Sequence, residues 1–252
     1  MIEVKNLSCR FSFGISSKQL TAVSPLTVIF RDSGRYAIAG ESGSGKTTLA
    51  RMIAGLQKPS CGNVYVDGSP VYTRRKAGKT HFKKVQLIQQ NSVSALDPKM
   101  TIGKSIEEPL TCFLRLDRKE RRERCKKLME LCNLPPSYYS RLPDQLSGGE
   151  QKRVAIARAL AAEPDCMIFD EATNGFDLPL RKKITEEILD LQESLNFTLI
   201  FITHDMELAV AAADEIMIMQ NSVLVEHKSF SGDTSVFSHE YSKILLSASG
   251  LA

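Results

Sequence analysis

No run of this chain approaches 18 apolar residues, so nothing in it reads as a membrane span. The first ten residues, Met1 to Arg10, lack the basic-then-apolar pattern of a secretory leader. The six cysteines are Cys9, Cys61, Cys112, Cys125, Cys132 and Cys166. None are paired as C-x-x-C and no histidine stands at zinc spacing beside them, which argues against a structural zinc site. They read as reduced, buried, small hydrophobes of a cytosolic chain. Internal repeats and low-complexity tracts are missing too, which removes solenoids and disordered linkers. Charge of one sign is scarce: 33 Lys and Arg against 29 Asp and Glu leave a net +4. That balance does not by itself argue for nucleic acid, and an anionic ligand or an acidic membrane surface fits it equally well.

What is present is ordinary globular material. The 252 residues are 42% hydrophobic and 25% charged, enough for one large domain or two small ones with a core that needs no disulfides. Ile2, Val4 and Leu7, then Leu26, Val28 and Phe30, alternate as strands. Tyr36 to Ala39 reads as a short buried strand and Lys46 to Leu56 as a helix. Val64 and Val66 form a strand ending in the turn signal Asp67-Gly68. Arg74 to Lys84 is basic and reads as a solvated connector.

From Ile102 to Ala162 the pattern is mainly helical, with Leu128, Leu131 and Cys132 on one expected face. After Pro164 strands and helices alternate again: Cys166 to Phe169, Leu180 to Leu195, Thr198 to Ile202, Met206 to Ala213, and Ile216 to Met219. This order predicts a mostly parallel sheet covered on both faces, with the helical middle inserted into it. The tail is expected to end in a helix carrying Tyr241, Ile244, Leu245 and Leu246.

Gly40-Glu41-Ser42-Gly43-Ser44-Gly45-Lys46-Thr47 matches G-x-x-x-x-G-K-[ST] in full. A buried strand precedes it and a helical pattern follows, as a phosphate loop requires. Glycines let the backbone wrap a phosphate, and its N–H groups and the helix N-terminus face the anion. Lys46 can reach the β- and γ-phosphates, and the Thr47 hydroxyl can ligate Mg²⁺. Thr48, next in line, joins the same set. The chain therefore reads as a binder of a nucleoside triphosphate with magnesium.

Cys166-Met167-Ile168-Phe169-Asp170-Glu171 is an apolar strand ending in two acids. The C-terminal end of such a strand faces the ligand crevice of an open α/β sheet. Asp170 can then reach the Mg²⁺ shell. Glu171 can face an attacking water and accept its proton. A water-facing acid there weighs against a small-molecule kinase.

Leu146-Ser147-Gly148-Gly149-Glu150-Gln151 precedes a helix running to Ala162. Here the chain resembles the ATP-binding cassette (ABC) ATPases, whose signature is L-S-G-G-Q. The order of phosphate loop, signature and acidic strand agrees with that family over nearly the whole chain. The resemblance implies an α/β P-loop NTPase core with a mostly parallel sheet, an antiparallel β portion near the N-terminus and an inserted helical subdomain. Residues 1–90 and 163–228 would be the nucleotide-binding core, 91–162 the helical subdomain, and 229–252 a helical tail. Two ATPases would pack head to tail, with Ser147, Gly148, Gly149 and Glu150 of each closing on the ATP held by the other. His204 would hold the γ-phosphate, Gln90 would contact Mg²⁺ or the water, and Phe11 would stack on adenine, with Phe13 as the alternative. Asp177 would communicate across the dimer.

The chain departs from that pattern at Glu150, in the loop Asn174-Gly175-Phe176-Asp177, and around Gln90, where Gln89 is a weaker candidate for the same role. Ser94-Ala95-Leu96-Asp97-Pro98-Lys99-Met100-Thr101-Ile102 resembles the S-S-L-N-P-R-M-T-I run of dipeptide, oligopeptide and nickel importers. His239-Glu240-Tyr241-Ser242-Lys243-Ile244-Leu245-Leu246 resembles their H-P-Y-T-x-x-L-L tail. The short tail looks more like the ATPases for nickel or chelated metal. That group implies two transmembrane permeases, a second and different ABC ATPase, an extracytoplasmic solute-binding protein, a seat on the cytoplasmic face of the membrane, and no nucleic acid. An exporter or lipid-extraction ATPase is the alternative, and a soluble ABC protein a more distant one.

Overall fold

A computed structural model describes residues 1–13, 18–73, 76–89 and 96–251. The expectations placed on Gln90, Ser94, Ala95, Arg74 and Arg75 lie outside the described residues, as does the side chain of Phe13.

Two sheets carry the fold. The first pairs β1 (Ile2–Phe13) with β2 (Lys18–Phe30) and β4 (Cys61–Val66), all antiparallel, and β5 (Ser69–Pro70) extends it, while β6 (Tyr72–Thr73) and β7 (Lys76–Ala77) form a separate two-stranded pair. The second contains β3 (Arg35–Ala39), β8 (Val85–Gln89), β9 (Cys166–Asp170), β10 (Thr198–Thr203), β11 (Glu215–Gln220) and β12 (Val223–Ser229). Its order is β12-β11-β3-β10-β9-β8, and every pair is parallel except β11 with β12. β9 and β10 are buried along their whole length, which is why their sequences are continuous apolar runs. The β11–β12 hairpin turns on Asn221 and Ser222, both at positive φ, as a tight two-residue hairpin needs. β12 was not expected from the sequence.

The helices bury stripes set by the 3.6-residue period. α1 (Lys46–Ile53) buries Leu49, Ala50, Met52 and Ile53 in a core shared with both sheets. α3 (Ile102–Pro109), α4 (Arg118–Leu131), α5 (Gly148–Leu160) and α6 (Leu178–Leu195) meet in a second core against β9 and β10. α7 (Met206–Ala212) and α8 (Glu240–Ala248) pack on β3 and β11 in a third. α4 starts in a capping box: Asp117 accepts from the Lys119 and Glu120 amides, and Glu120 accepts from the Asp117 amide. On α6, Asp177 accepts from the Leu180 amide at 3.0 Å and so caps the helix.

Two expectations need correction. Leu131 is exposed, because the buried stripe of α4 runs through Cys125, Leu128, Met129 and Cys132 and Leu131 falls past its edge. The tail helix α8 carries Tyr241, Ile244, Leu245 and Leu246 as expected, with Tyr241 and Leu246 buried and Ile244 exposed at 57%. All six cysteines are free, but only four are buried; Cys61 and Cys112 are exposed.

The basic segment is not simply a solvated connector. Residues Lys79–Lys84 form a short helix, α2, anchored by a buried His81 whose Nε2 lies 2.9 Å from the Ile53 carbonyl. Burial lowers the His81 pKa and keeps the ring neutral. A histidine whose folded pKa is depressed holds fewer protons folded than unfolded, so stability falls as pH drops through the ordinary histidine range. Between pH 7.5 and 5.5 the wild type should lose more stability than His81→Gln, by at most about 1.4 kcal/mol per pH unit. Parallel urea melts of the two would test this; equal pH dependence would mean that folding leaves the His81 pKa unchanged.

Candidate active site

The C-terminal ends of the parallel strands bring the site together. β3 runs into the phosphate loop, β9 ends at Asp170, and β10 leads to His204. In register, Ile202 of β10 pairs with Asp170, and Thr203 pairs with Ala39 at the end of β3. β3 is flanked by β10 on one side and β11 on the other, the switch point where open α/β sheets bind ligands.

The loop has no room for side chains at two glycines. A Cβ on Gly40, at φ 145°, would lie 2.1 Å from the Met219 carbonyl oxygen. A Cβ on Gly45, at φ 102°, would lie 2.1 Å from the Ala22 carbonyl oxygen. The loop is thus clamped between β11 and β2. The hairpin tip adds a third support, since the Ser222 amide donates to the Ser44 carbonyl at 3.1 Å. Glu41, Ser42 and Gly43 form the exposed lip, and Thr48 is partly buried on α1.

Lys46 is 3% exposed. Its ammonium donates to the Gly40 and Glu41 carbonyls, each at 2.7 Å, and approaches Ser44 Oγ at 3.4 Å. Burial lowers its pKa, against the opposing pull of Glu171, Asp170 and Glu41. Thr47 Oγ1 donates to Asp170 Oδ1 at 2.9 Å. Burial raises the Asp170 pKa and neighbouring Glu171 adds to that, with the Thr47 bond working against them. A hydroxyl and a carboxylate meeting beside a phosphate cradle are a hard-oxygen donor set that suits Mg²⁺. Among the described residues no cluster of three or more His, Cys, Asp or Glu could hold a metal by itself.

Glu171 follows β9 with φ 49°, a left-handed conformation rare for such a residue and common at sites where function demands it. Its amide donates to the Ile202 carbonyl at 2.9 Å. The Asn174 Nδ2 donates to Glu171 Oε2 at 3.1 Å, and His204 Nδ1 stands 3.5 Å from Oε1. His204 is half-exposed, so its ring faces the opening. The partnership of Asn174 with Glu171 went unread in the sequence. It sits inside the loop that departs from the family pattern.

The signature forms its own structure. Ser147 caps α5: its hydroxyl accepts from the Glu150 amide at 3.4 Å. Glu150 Oε2 accepts from the Ser147 amide at 2.8 Å and its hydroxyl at 2.7 Å, and Oε1 accepts from the Tyr138 hydroxyl at 2.8 Å. The Ser147 hydroxyl, the Ser147 amide and Tyr138 together hold the Glu150 pKa below the usual carboxylate range. Glutamate in place of glutamine thus completes a capping box and puts a negative charge at a helix N-terminus. Gly148 and Gly149 lie against Phe176 and Leu180 of the same chain. The Arg153–Glu187 fork, at 2.9 and 2.7 Å, ties α5 to α6.

Phe11 is partly buried on β1, opposite Leu20 of β2, and packs on the core that includes α1. Leu20 is two residues from Ala22, whose carbonyl meets Gly45. Gln89 is exposed, and its register partner is Asp170. The Gln89 carbonyl accepts from Lys152 Nζ at 3.2 Å. Lys152 is a residue the sequence reading missed: it is 2% exposed, and burial pushes its pKa down to about 8. Nothing in its helical pattern sets it apart from a solvated lysine.

The comparisons agree with this geometry. The ABC transporter family model matches residues 23–174. The chain is 34% identical over 232 residues to the dipeptide transport ATP-binding protein DppF of Haemophilus influenzae, spanning 92% of this chain and 71% of that one. It is 32% identical over 252 residues to the nickel import ATP-binding protein NikE of Shigella dysenteriae, spanning 98% of this chain and 94% of that one. Among solved structures, the dimeric post-hydrolysis state of the ATP-binding cassette MJ0796, bound to ADP and Pi, superposes with a TM-score of 0.79. Identity there is 29%, covering 92% of this chain and 100% of that one. A phosphate loop, an acidic strand end and a capped signature helix on this α/β scaffold, matched by these relatives, place the chain in the ABC transporter family as an ATP-hydrolysing cassette.

Proposed function

We propose that this chain is the energy-coupling ATPase of an importer for nickel or another metal, a metal–chelator complex, or short peptides. The likeness to the nickel import protein carries the reading, because it extends over almost the full length of both chains, tail included. The partners would be two membrane-spanning permeases, a second and different ABC ATPase, and an extracytoplasmic solute-binding protein. The chain would work at the cytoplasmic face of the membrane. No helix of the described residues is long and apolar enough to cross it.

In this reading Lys46 binds the β- and γ-phosphates, and the loop residues Gly40 to Thr48 cradle them. Thr47, Asp170 and Gln90 hold Mg²⁺, which neutralises phosphate charge. Glu171 orients the attacking water and accepts its proton, held in place by Asn174. His204 grips the γ-phosphate, Phe11 stacks on adenine, and Ser147, Gly148, Gly149 and Glu150 close on the nucleotide of the partner ATPase. ATP drives transport by binding the closed dimer better than the open one.

A groove of about 630 Å³ supports a permease contact. Leu56, Phe82, Leu87, Cys112 and Phe113 line it, with Glu108 and Arg158 at 2.7 Å on its wall. Gln89 and Leu96, the latter part of the importer-like run, also line it. An apolar bed with a charged edge suits a short amphipathic helix.

The experiment is a pull-down. Tagged Glu171→Gln protein is recovered from gently solubilised membranes with ATP and magnesium, and its companions are identified by mass spectrometry. Two polytopic permeases, a second ATPase and a solute-binding protein are the expected set. Permeases without any binding protein would favour the exporter reading. Soluble companions alone would remove transport and leave the ATPase chemistry standing.

A further inference from the structure

We propose that Tyr241 is a positioning residue for ATP binding: its hydroxyl fixes the Gly40–Glu41 peptide, one of the two phosphate-loop peptide units on whose carbonyls the Lys46 ammonium rests. The Glu41 N–H donates to Tyr241 Oη at 3.0 Å, across 200 residues of sequence. The Gly40 C=O accepts from Lys46 Nζ at 2.7 Å. That N–H and that C=O belong to the same planar peptide, so fixing the direction of one fixes the other. The ammonium on the carbonyl also polarises the amide and strengthens its bond to the tyrosine.

Both ends of this arrangement are held. Gly40 is wedged against the Met219 carbonyl at φ 145°. Tyr241 is 6% exposed and packs in a core with Ala37 and Ala39, the strand residues that lead into the loop. Its helix is moored at the start by the buried Glu226 carboxylate, which accepts from the Ser238 amide at 2.8 Å, the Ser238 hydroxyl at 3.0 Å and the His239 amide at 3.3 Å. His239 Nδ1 then accepts from the Tyr241 amide at 3.2 Å. The tail helix is therefore a strut that sets one peptide of the cradle. Tyr241 acts through that peptide and through Lys46, and its role is in the ground-state shape of the loop. The inference rests on ATP binding at the phosphate loop and is independent of what the system transports.

Tyr241→Phe tests it in the full-length chain. Phenylalanine keeps the buried ring and removes only the acceptor of the Glu41 amide. Calorimetric titration should show ATP and ADP binding weakened about five- to tenfold, the worth of one such hydrogen bond. AMP, which has no β-phosphate for Lys46, should bind as before. The nucleotide-free melting temperature should stay within about 2 °C. Ile244→Ala, on the exposed face of the same helix, should change none of these. ATP affinity within about twofold of wild type would overturn the proposal. So would an equal loss for AMP, since that would mark a general disturbance of the tail.

Discussion

Glu171→Gln is expected to bind ATP with wild-type affinity and to hydrolyse it about 10²–10⁴-fold more slowly, the usual worth of a general base. The substitution is close to isosteric, and the surroundings accept it. The Asn174 Nδ2 that donates to Glu171 Oε2 at 3.1 Å finds an amide oxygen in the same place. The left-handed backbone at φ 49° is already imposed by the Glu171 amide bond to Ile202 and by the turn through Asn174. What disappears is the carboxylate's basicity beside His204. The neighbouring acid cannot take over, because Asp170 is buried and engaged by Thr47. Binding by a fluorescent ATP analogue and turnover by phosphate release separate the two effects. Normal turnover in the variant would show that another group takes the water's proton.

The chemistry was legible in the sequence wherever neighbouring residues act together. The phosphate loop needs a strand, glycines and a helix in immediate succession, so its pattern is local. The acids at 170 and 171 follow from where a buried parallel strand must end. The ladder that unites them, β3 with β10 and β10 with β9, also follows from alternating strands and helices. The contacts that went unread join distant segments and leave no periodic trace. Tyr241 meets Glu41 across 200 residues, and the Asn221–Ser222 turn props the loop at Ser44. Lys152 and His81 were missed because their types read as solvent-facing, and only the fold supplies a backbone carbonyl for each. Leu131, Cys61 and Cys112 failed the other way, apolar residues left outside once the period and the sheet edge were set.

The departures from the family pattern have local physical reasons. Phe176 fills the space beneath Gly148, and Asp177 is spent on capping α6. Asn174 supplies the donor that orients Glu171. The unusual loop thus supports both the signature helix and the acid at the strand end, so changes in it should disturb the two together.

Lys46→Ala should weaken ATP binding by roughly 10²–10⁴-fold, since two charge-assisted contacts of about 1.5–3 kcal/mol each would go. The electrostatic setting makes the loss larger than the contacts alone. Lys46 faces Asp170, Glu171 and Glu41, and without it those acids are less compensated toward an incoming polyanion, with Arg51 still acting on Asp170. Stability should respond in the opposite sense to affinity, or barely at all. Burial already lowers the Lys46 pKa, which means that the fold bears a desolvation cost for the ammonium. Removing it leaves the Gly40 and Glu41 carbonyls, which an entering water can satisfy in a polar cradle. Titration calorimetry and a nucleotide-free melt on the same sample read both quantities. Unchanged affinity would remove Lys46 from the phosphate site. A melting temperature that fell in step with affinity would mean the lysine holds the loop together rather than the nucleotide. The expected split, binding lost and fold kept, follows from a buried charge whose remaining desolvation cost a bound phosphate offsets.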